Sequence, residues 1–178
     1  MISREEYIQL RAFARQDGLL MGALWVITFG CFIGSMRMPA LQRGFMVGAI
    51  ATPFVMLYRL RHFRDKVVEG RFSYGRAVAF CAMTMTYASL ILAAATMVYF
   101  YFLDNGMLMN TLRSNIDIPE VRQGLAQAGM SPEDLEKQMD AISKSRPIDF
   151  AFSMFFNGIV SSFLLSLILG LAWKKRRR

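Results

Sequence analysis

Four long stretches of this chain contain no ionisable side chain, and this pattern constrains the fold more than any other feature. Residues 18–36, 44–58, 77–103 and 150–173 are free of Asp, Glu, Lys, Arg and His. A helix needs roughly 20 mostly apolar residues to cross a hydrocarbon core about 30 Å thick, because it rises about 1.5 Å per residue. The sequence therefore predicts an all-α membrane protein with four transmembrane helices, over about 18–36, 40–58, 77–103 and 150–173.

The second of these spans is the weakest, because its uncharged run has only 15 residues. To cross the bilayer it must begin at about residue 40, directly after Pro39, a residue that suits the start of a helix. This start places Arg43 about one turn inside the boundary. An intramembrane cation is a functional candidate. The other interpretation is that the aliphatic part of the Arg43 side chain lies in lipid while its guanidinium reaches the membrane interface. Pro53 predicts a kink.

The first 17 residues carry balanced charges and a signal for the start of a helix. Ser3 followed by Glu6 is a capping box, so a helix either lies on the membrane surface or continues into the first span. No acidic residue falls within any of the four predicted spans. Because coupled transporters usually keep a buried carboxylate, this pattern argues against proton-coupled or cation-coupled transport.

The net charge of +8 is distributed unevenly along the chain. The positive excess lies in residues 59–76 and in the tail 174–178, whereas residues 104–149 carry a negative excess. Four spans place both basic segments on the same side of the membrane. The positive-inside bias therefore predicts that both termini are cytoplasmic and that residues 104–149 face outward.

Residues 104–149 form the only long polar stretch, and turn and capping signals divide it into short helices. One helix is predicted from Pro119 to a stop at Gly129, and another from a Ser131 cap to Pro147. The second carries an apolar stripe that packs against the protein itself or against a partner: Leu135, Met139 and Ile142. The sequence thus predicts a small helical extracytoplasmic cap between the third and fourth spans.

Small residues four positions apart recur in the spans. Expulsion of water cannot drive helices together in lipid, so close backbone approach at small residues has to do so. We predict that these positions lie at helix crossings, either within one molecule or in contacts with another copy or a membrane partner. They are Gly18, Gly22, Gly30, Gly34, Gly44, Gly48, Gly158, Ser162, Ser166 and Gly170.

Basic residues beside the spans are predicted to contact anionic lipid headgroups and not nucleic acid, so membrane lipids are the first expected partner. Asn157 joins Arg43 as an intramembrane polar candidate. The predicted lipid contacts are Arg59, Arg61, Arg64, Lys174, Lys175 and Arg176.

No pattern in the chain indicates catalysis or cofactor binding. The lone His62 has no second ligand nearby, and Cys31 and Cys81 lie in separate spans. Neither a phosphate-binding glycine loop nor a nucleophile motif is present. The sequence therefore predicts that the protein is not an enzyme and holds no cofactor or metal.

The layout resembles a family of uncharacterised four-span bacterial inner-membrane proteins known only as a domain of unknown function. The resemblance covers nearly the whole chain. It depends on the glycine-rich start of the first span at 18–22, the motif Gly-Arg-Phe-Ser-Tyr-Gly-Arg-Ala at 70–77, the aromatic end of the third span at 99–104, and the basic end of the fourth. It implies a location in the bacterial inner (cytoplasmic) membrane and no catalytic residue.

Two hypotheses for function follow from the sequence. The first is a structural or accessory protein that acts through helix packing, as a homo-oligomer or as a subunit of a larger membrane assembly. The alternative is a small channel or lipid/solute carrier built around polar faces of the spans, with Arg43 and Asn157 in use. The first is preferred because polar residues at mid-membrane are few.

Overall fold

In a computed structural model, which describes residues 4–67, 73–116, 118–127 and 129–172, every element is a helix. Four long helices correspond to the predicted spans, and three short helices form the segment between the last two. Ser3, Gly70–Phe72, Trp173 and the basic tail lie outside the described residues. The helices are α1 (Arg4–Ser35), α2 (Leu41–Lys66), α3 (Tyr74–Phe102), α4 (Met107–Ile116), α5 (Pro119–Gln127), α6 (Pro132–Ser143) and α7 (Pro147–Ala172).

Among the described residues, three helices, not four, are long and apolar enough to cross a membrane. They are α1, α3 and the part of α7 over Pro147–Leu169. The prediction of four apolar spans is corrected here, since α2 does not qualify. Arg43 near one end of α2 and a basic run from Arg59 at the other leave too short an uncharged stretch between them.

The N-terminal helix continues into the first apolar run without a break, so α1 is 32 residues long. The alternative of a separate surface helix is therefore wrong. The continuation matters because it extends one buried face of α1 toward the N-terminus. Leu10, Ala14, Asp17 and Met21 are all buried on that face, at helical spacing.

Helices α1 and α2 form an antiparallel hairpin. A Cβ at Gly44 would meet Cys31, the Trp25 indole bonds to Thr52, and Asp17 pairs with Arg59. Each step back along α1 is matched by an equal step forward along α2, so the two helices stay in register from Gly44 to Arg59 of α2. Pro53 lies inside α2 and does not end it.

Helix α3 runs parallel to α1, and α7 runs antiparallel to α3. Phe100 of α3 stacks on Phe150 of α7 at a ring distance of 4.1 Å. The four long helices are therefore arranged as a curved row in the order α2, α1, α3, α7, because α2 touches α3 and α7 at only a few points. We call the end of this row near Arg59 the Arg59 end and the end near α4–α6 the cap end.

The apolar core is concentrated toward the Arg59 end. Met21, Met56, Leu60 and Phe80 are fully buried there, and Phe63 stacks on Phe80 at a ring distance of 4.4 Å. These side chains join α1, α2 and α3 into one packed unit. Toward the cap end the flanking helices α2 and α7 have no comparable core between them, and a groove remains.

The cap follows the predicted turns and contains one helix that the sequence did not predict. Asn105 and Gly106 have φ of 44° and 78°, as a turn at this point requires. Ser131 caps α6 by accepting a hydrogen bond from the Asp134 amide at 3.1 Å, as predicted. The additional helix α4 starts where Asp104 accepts hydrogen bonds from the Gly106 and Leu108 amides, both at 3.1 Å.

Candidate functional site

A buried ion pair joins α1 to α2 at the Arg59 end. The Asp17 side chain is 1% exposed and that of Arg59 is 20% exposed. The Arg59 Nε donates to Asp17 Oδ1 at 2.8 Å, and the Nη2 donates to the same oxygen. Asp17 directly precedes the uncharged run of α1 and Arg59 directly follows that of α2, so the pair closes the hairpin where both apolar runs end.

Sequence reasoning missed this pair because it balanced Asp17 against the arginines of residues 1–17 and began the first span only after it. The spacing of Leu10, Ala14, Asp17 and Met21 puts Asp17 on the apolar face, and this signal could have revealed that Asp17 is buried. Asp17 lies one residue before the predicted first span, but α1 extends past it, so this helix does bury a carboxylate. Its partner, 42 residues away, has no such local signal.

A second ion pair fixes the same end of α1 to α3. Arg76 Nη2 lies 2.6 Å from Glu6 Oε2. Together the two pairs attach the first turns of α1 to both of its neighbours. Within the described part of the chain no three His, Cys, Asp or Glu residues come close enough to hold a metal ion. The arrangement therefore fixes helices to one another and offers no ligand set for a metal.

The basic residues that were predicted to contact lipid differ in their surroundings in the structure. Arg59 is held by Asp17, and Arg64 forms a two-point contact with Asp65, with Nη2 to Oδ2 at 2.8 Å. Arg61 is exposed at the same end. The remaining predicted contacts lie outside the described residues: Lys174, Lys175 and Arg176.

The glycines of α1 that were predicted to lie at crossings have different surroundings. A Cβ added at Gly18 would lie 2.5 Å from Tyr87 Cβ, and one at Gly22 would lie 2.7 Å from Ile91 Cδ1, so both face α3 closely. At Gly34 the neighbour is Leu41 Cδ1 at 2.6 Å. At Gly30 no atom lies within 4 Å.

The small residues of α2 and α7 also lie against neighbouring helices of the same molecule. Cβ atoms at Gly44 and Gly48 would meet Cys31 and Thr28 of α1, and one at Gly158 would lie 2.8 Å from Ser89 Cβ of α3. Ser162 and Ser166 are buried, and their hydroxyl groups donate to backbone carbonyls of α7 itself. The surroundings of Gly170 lie outside the described part of the chain.

The two intramembrane polar candidates are not brought together. Arg43 is exposed on α2. Asn157 is exposed on α7, where its Nδ2 donates to Ser153 Oγ at 3.3 Å. No hydrogen bond joins the two side chains, so the structure does not assemble a polar site from them.

A groove opens sideways at the cap half of the row, between α2 and α7. We call it the lateral groove, and its volume is about 300 Å³. Its floor is α1, because four of its nine lining residues come from that helix. The lining residues are Trp25, Thr28, Phe29, Phe32, Phe45, Ala49, Thr52, Leu92 and Met154.

The few polar atoms of the lateral groove are already bonded within the protein. Trp25 Nε1 donates to Thr52 Oγ1 at 3.1 Å, and Thr52 in turn donates to the Gly48 carbonyl at 3.1 Å. Thr28 donates to the Leu24 carbonyl at 2.8 Å. The groove therefore offers aromatic and aliphatic surface with no unsatisfied donor for a polar solute.

A family described as a protein of unknown function (DUF4199) matches residues 16–175, from the buried Asp17 through the end of α7. No curated protein and no solved structure matches the chain. Because the match covers far more than half of the sequence, the chain belongs to the DUF4199 family of proteins of unknown function.

Proposed function

We propose that this chain is a non-enzymatic accessory protein of the bacterial inner (cytoplasmic) membrane, which acts as a rigid helical scaffold in a homo-oligomer or a larger assembly. The observation that supports this function is the way α1 is fixed on two sides. Gly18 and Gly22 allow close contact with α3, while the Asp17–Arg59 pair holds α2. Such packing stabilises one arrangement of helices, which suits a structural role.

We further propose that α2 crosses the membrane beside α1, as a fourth and shorter span. Its hairpin register with α1 supports this placement, because α2 extends along the whole apolar run of its neighbour. One side of α2 also exposes large apolar residues at helical spacing, as expected for contact with lipid: Val47, Ile50, Phe54 and Tyr58.

Side-specific reporters test this topology. With four crossings, reporters at both termini are cytoplasmic and a reporter at Glu133 in α6 is external. With three crossings, the two termini lie on opposite sides of the membrane. Fusions of alkaline phosphatase and a fluorescent protein at the three positions measure the difference. Termini on opposite sides would refute α2 as a span.

Self-association or partner binding is the second expectation. In a background with Cys31→Ser and Cys81→Ala, single cysteines at Phe156 of α7 or Phe54 of α2 report which exposed face meets another copy. We expect one of the two, not both, to form a disulfide-linked dimer in native membranes. If neither cysteine forms a dimer, a crosslinker attached at one of these two positions should capture a different membrane protein. A monomer without any captured partner would contradict the accessory role.

The channel or solute-carrier alternative has less support from the geometry. It needs polar side chains that meet near mid-membrane, but Arg43 and Asn157 lie on the two flanking helices without contact. The carboxylate that α1 does bury, Asp17, is held by Arg59. The accessory role is therefore the function that the structure supports best.

A further inference from the structure

We propose that the lateral groove binds one acyl chain of an anionic glycerophospholipid from the surrounding bilayer, with Arg37 holding the phosphate of its headgroup. This inference goes beyond the accessory role and does not depend on it. It rests on the chemistry of the groove wall, the size of the groove and the charge at its mouth.

The wall of the groove fits hydrocarbon. The rings of Phe32 and Phe45 meet at 5.4 Å, and the polar atoms of Trp25, Thr28 and Thr52 are bonded to protein partners. A polar solute would lose its hydrogen bonds to water here and gain none in return. A saturated or unsaturated chain has no such bonds to lose.

The size of the groove excludes larger occupants. A volume of about 300 Å³ lies at the small end of the range for ligand pockets, about 300–1,000 Å³. A helix with its side chains has a diameter of about 10–12 Å, so a helix of a second copy cannot enter a space of this size. One chain of a lipid is the occupant that both fits and is present around the protein.

The charge at the mouth favours an anionic headgroup. Arg37 lies in the turn between α1 and α2, five residues after Phe32. It contacts Met107, whose backbone amide donates to the Asp104 carbonyl at 2.8 Å. The Tyr99 hydroxyl donates to the Asp104 side chain, and the Tyr99 ring packs edge-on against Phe29 in the groove wall at 5.7 Å. The Arg37 Nε donates to the thioether of Met107 at 3.1 Å, which is a weak acceptor.

No carboxylate within the described residues forms an ion pair with Arg37. Among the acidic residues of the cap end, Asp104 accepts hydrogen bonds from the Tyr99 hydroxyl and from two backbone amides, so neutral donors surround it. The other N–H groups of Arg37 thus remain for a phosphate, which a guanidinium binds in two-point fashion.

Arg43 provides a matched control, because it carries the same charge at the same end of the bundle but lies on the side of α2 that faces away from the lateral groove. Gly44 faces Cys31 of α1, and neighbouring residues on a helix point about 100° to either side. Phe45 points into the groove. Arg43 therefore points away from it.

The test is lipid retention by the full chain purified in mild detergent with equal amounts of phosphatidylglycerol and phosphatidylcholine. Native mass spectrometry measures the bound lipid. We expect the wild-type protein to retain one phosphatidylglycerol in preference to phosphatidylcholine. Arg37→Gln should reduce this preference about tenfold, whereas Arg43→Gln should leave it unchanged. Ala49→Trp, which fills the groove, should abolish retention, and Ile50→Trp on the adjacent lipid-facing side should not.

Several results would overturn the proposal. Equal retention of both lipids, or equal effects of Arg37→Gln and Arg43→Gln, would remove the headgroup contact. Retention in Ala49→Trp as strong as in Ile50→Trp would place the lipid elsewhere. A dimer mass that Ala49→Trp abolishes would show that a second copy occupies the groove. If Ala49→Trp fails to fold, a lipid with a photoreactive acyl chain should label wild-type residues 25–32, and labelling only outside the groove would refute the site.

Discussion

Replacement of Asp17 by alanine is expected to destabilise the folded protein by about 3 kcal/mol, because it leaves the largely buried Arg59 guanidinium without its counter-charge. The free energy of unfolding, measured by denaturant titration of the full chain in mild detergent, checks this value. The large effect follows from burial: the Arg59 side chain, whose charge remains, is only 20% exposed, so solvent screens that charge only in part.

Asp140→Ala is the matched control for Asp17→Ala. Asp140 also forms an ion pair, with Lys144 at 2.6 Å, but both side chains are more than half exposed on α6. An exposed pair one turn apart contributes little, since water screens it and both side chains lose freedom to form it. We expect no measurable change in the free energy of unfolding for this variant.

The double variant Asp17→Leu with Arg59→Met separates an unpaired charge from a lost contact. Replacement of a buried ion pair by apolar residues of similar size is often neutral or stabilising. We therefore expect the double variant to recover most of the stability that Asp17→Ala loses. If the double variant is as unstable as the single one, or if Asp17→Ala is as mild as Asp140→Ala, the pair does not hold the hairpin as described.

The long helices and two of the three cap helices were predictable because their signals are local. An uncharged run of sufficient length indicates a membrane helix, and Ser131 before Pro132 indicates the start of α6. The helix α4 was missed because the sequence Asp104-Asn105-Gly106 was interpreted as a turn only. The side chain of Asp104 also caps the helix that follows this turn. Its start depends on two side-chain hydrogen bonds that composition does not encode.

The features that could bear on function depend on tertiary structure and were not predictable. The Asp17 carboxylate and its partner on α2 meet only because the hairpin keeps its register over four turns and more. The lateral groove exists because the long helices form a curved row, in which α2 and α7 barely touch. Hydropathy patterns locate the long helices but do not give the order in which they pack. The small-residue spacing likewise could not distinguish Gly18, at a crossing, from Gly30, in open space.

Gly18→Ala is expected to destabilise the protein by about 1–3 kcal/mol, although it adds only one methyl group. The new Cβ would lie 2.5 Å from Tyr87 Cβ and 2.9 Å from the Thr84 backbone carbonyl. Neither neighbour is the free end of a flexible side chain, so α1 and α3 must move apart to admit it. The same unfolding titration measures the loss.

Gly30→Ala is the matched control, since it is the same substitution in the same helix at a position with no atom within 4 Å. Alanine favours a helix over glycine by about 1 kcal/mol, so this variant should be as stable as the wild type or slightly more so. The difference between the two variants isolates the contact between α1 and α3 from helix propensity. Equal effects of the two substitutions would mean that close approach at Gly18 does not hold α1 and α3 together. The proposed scaffold role would then lose the helix contact on which it depends.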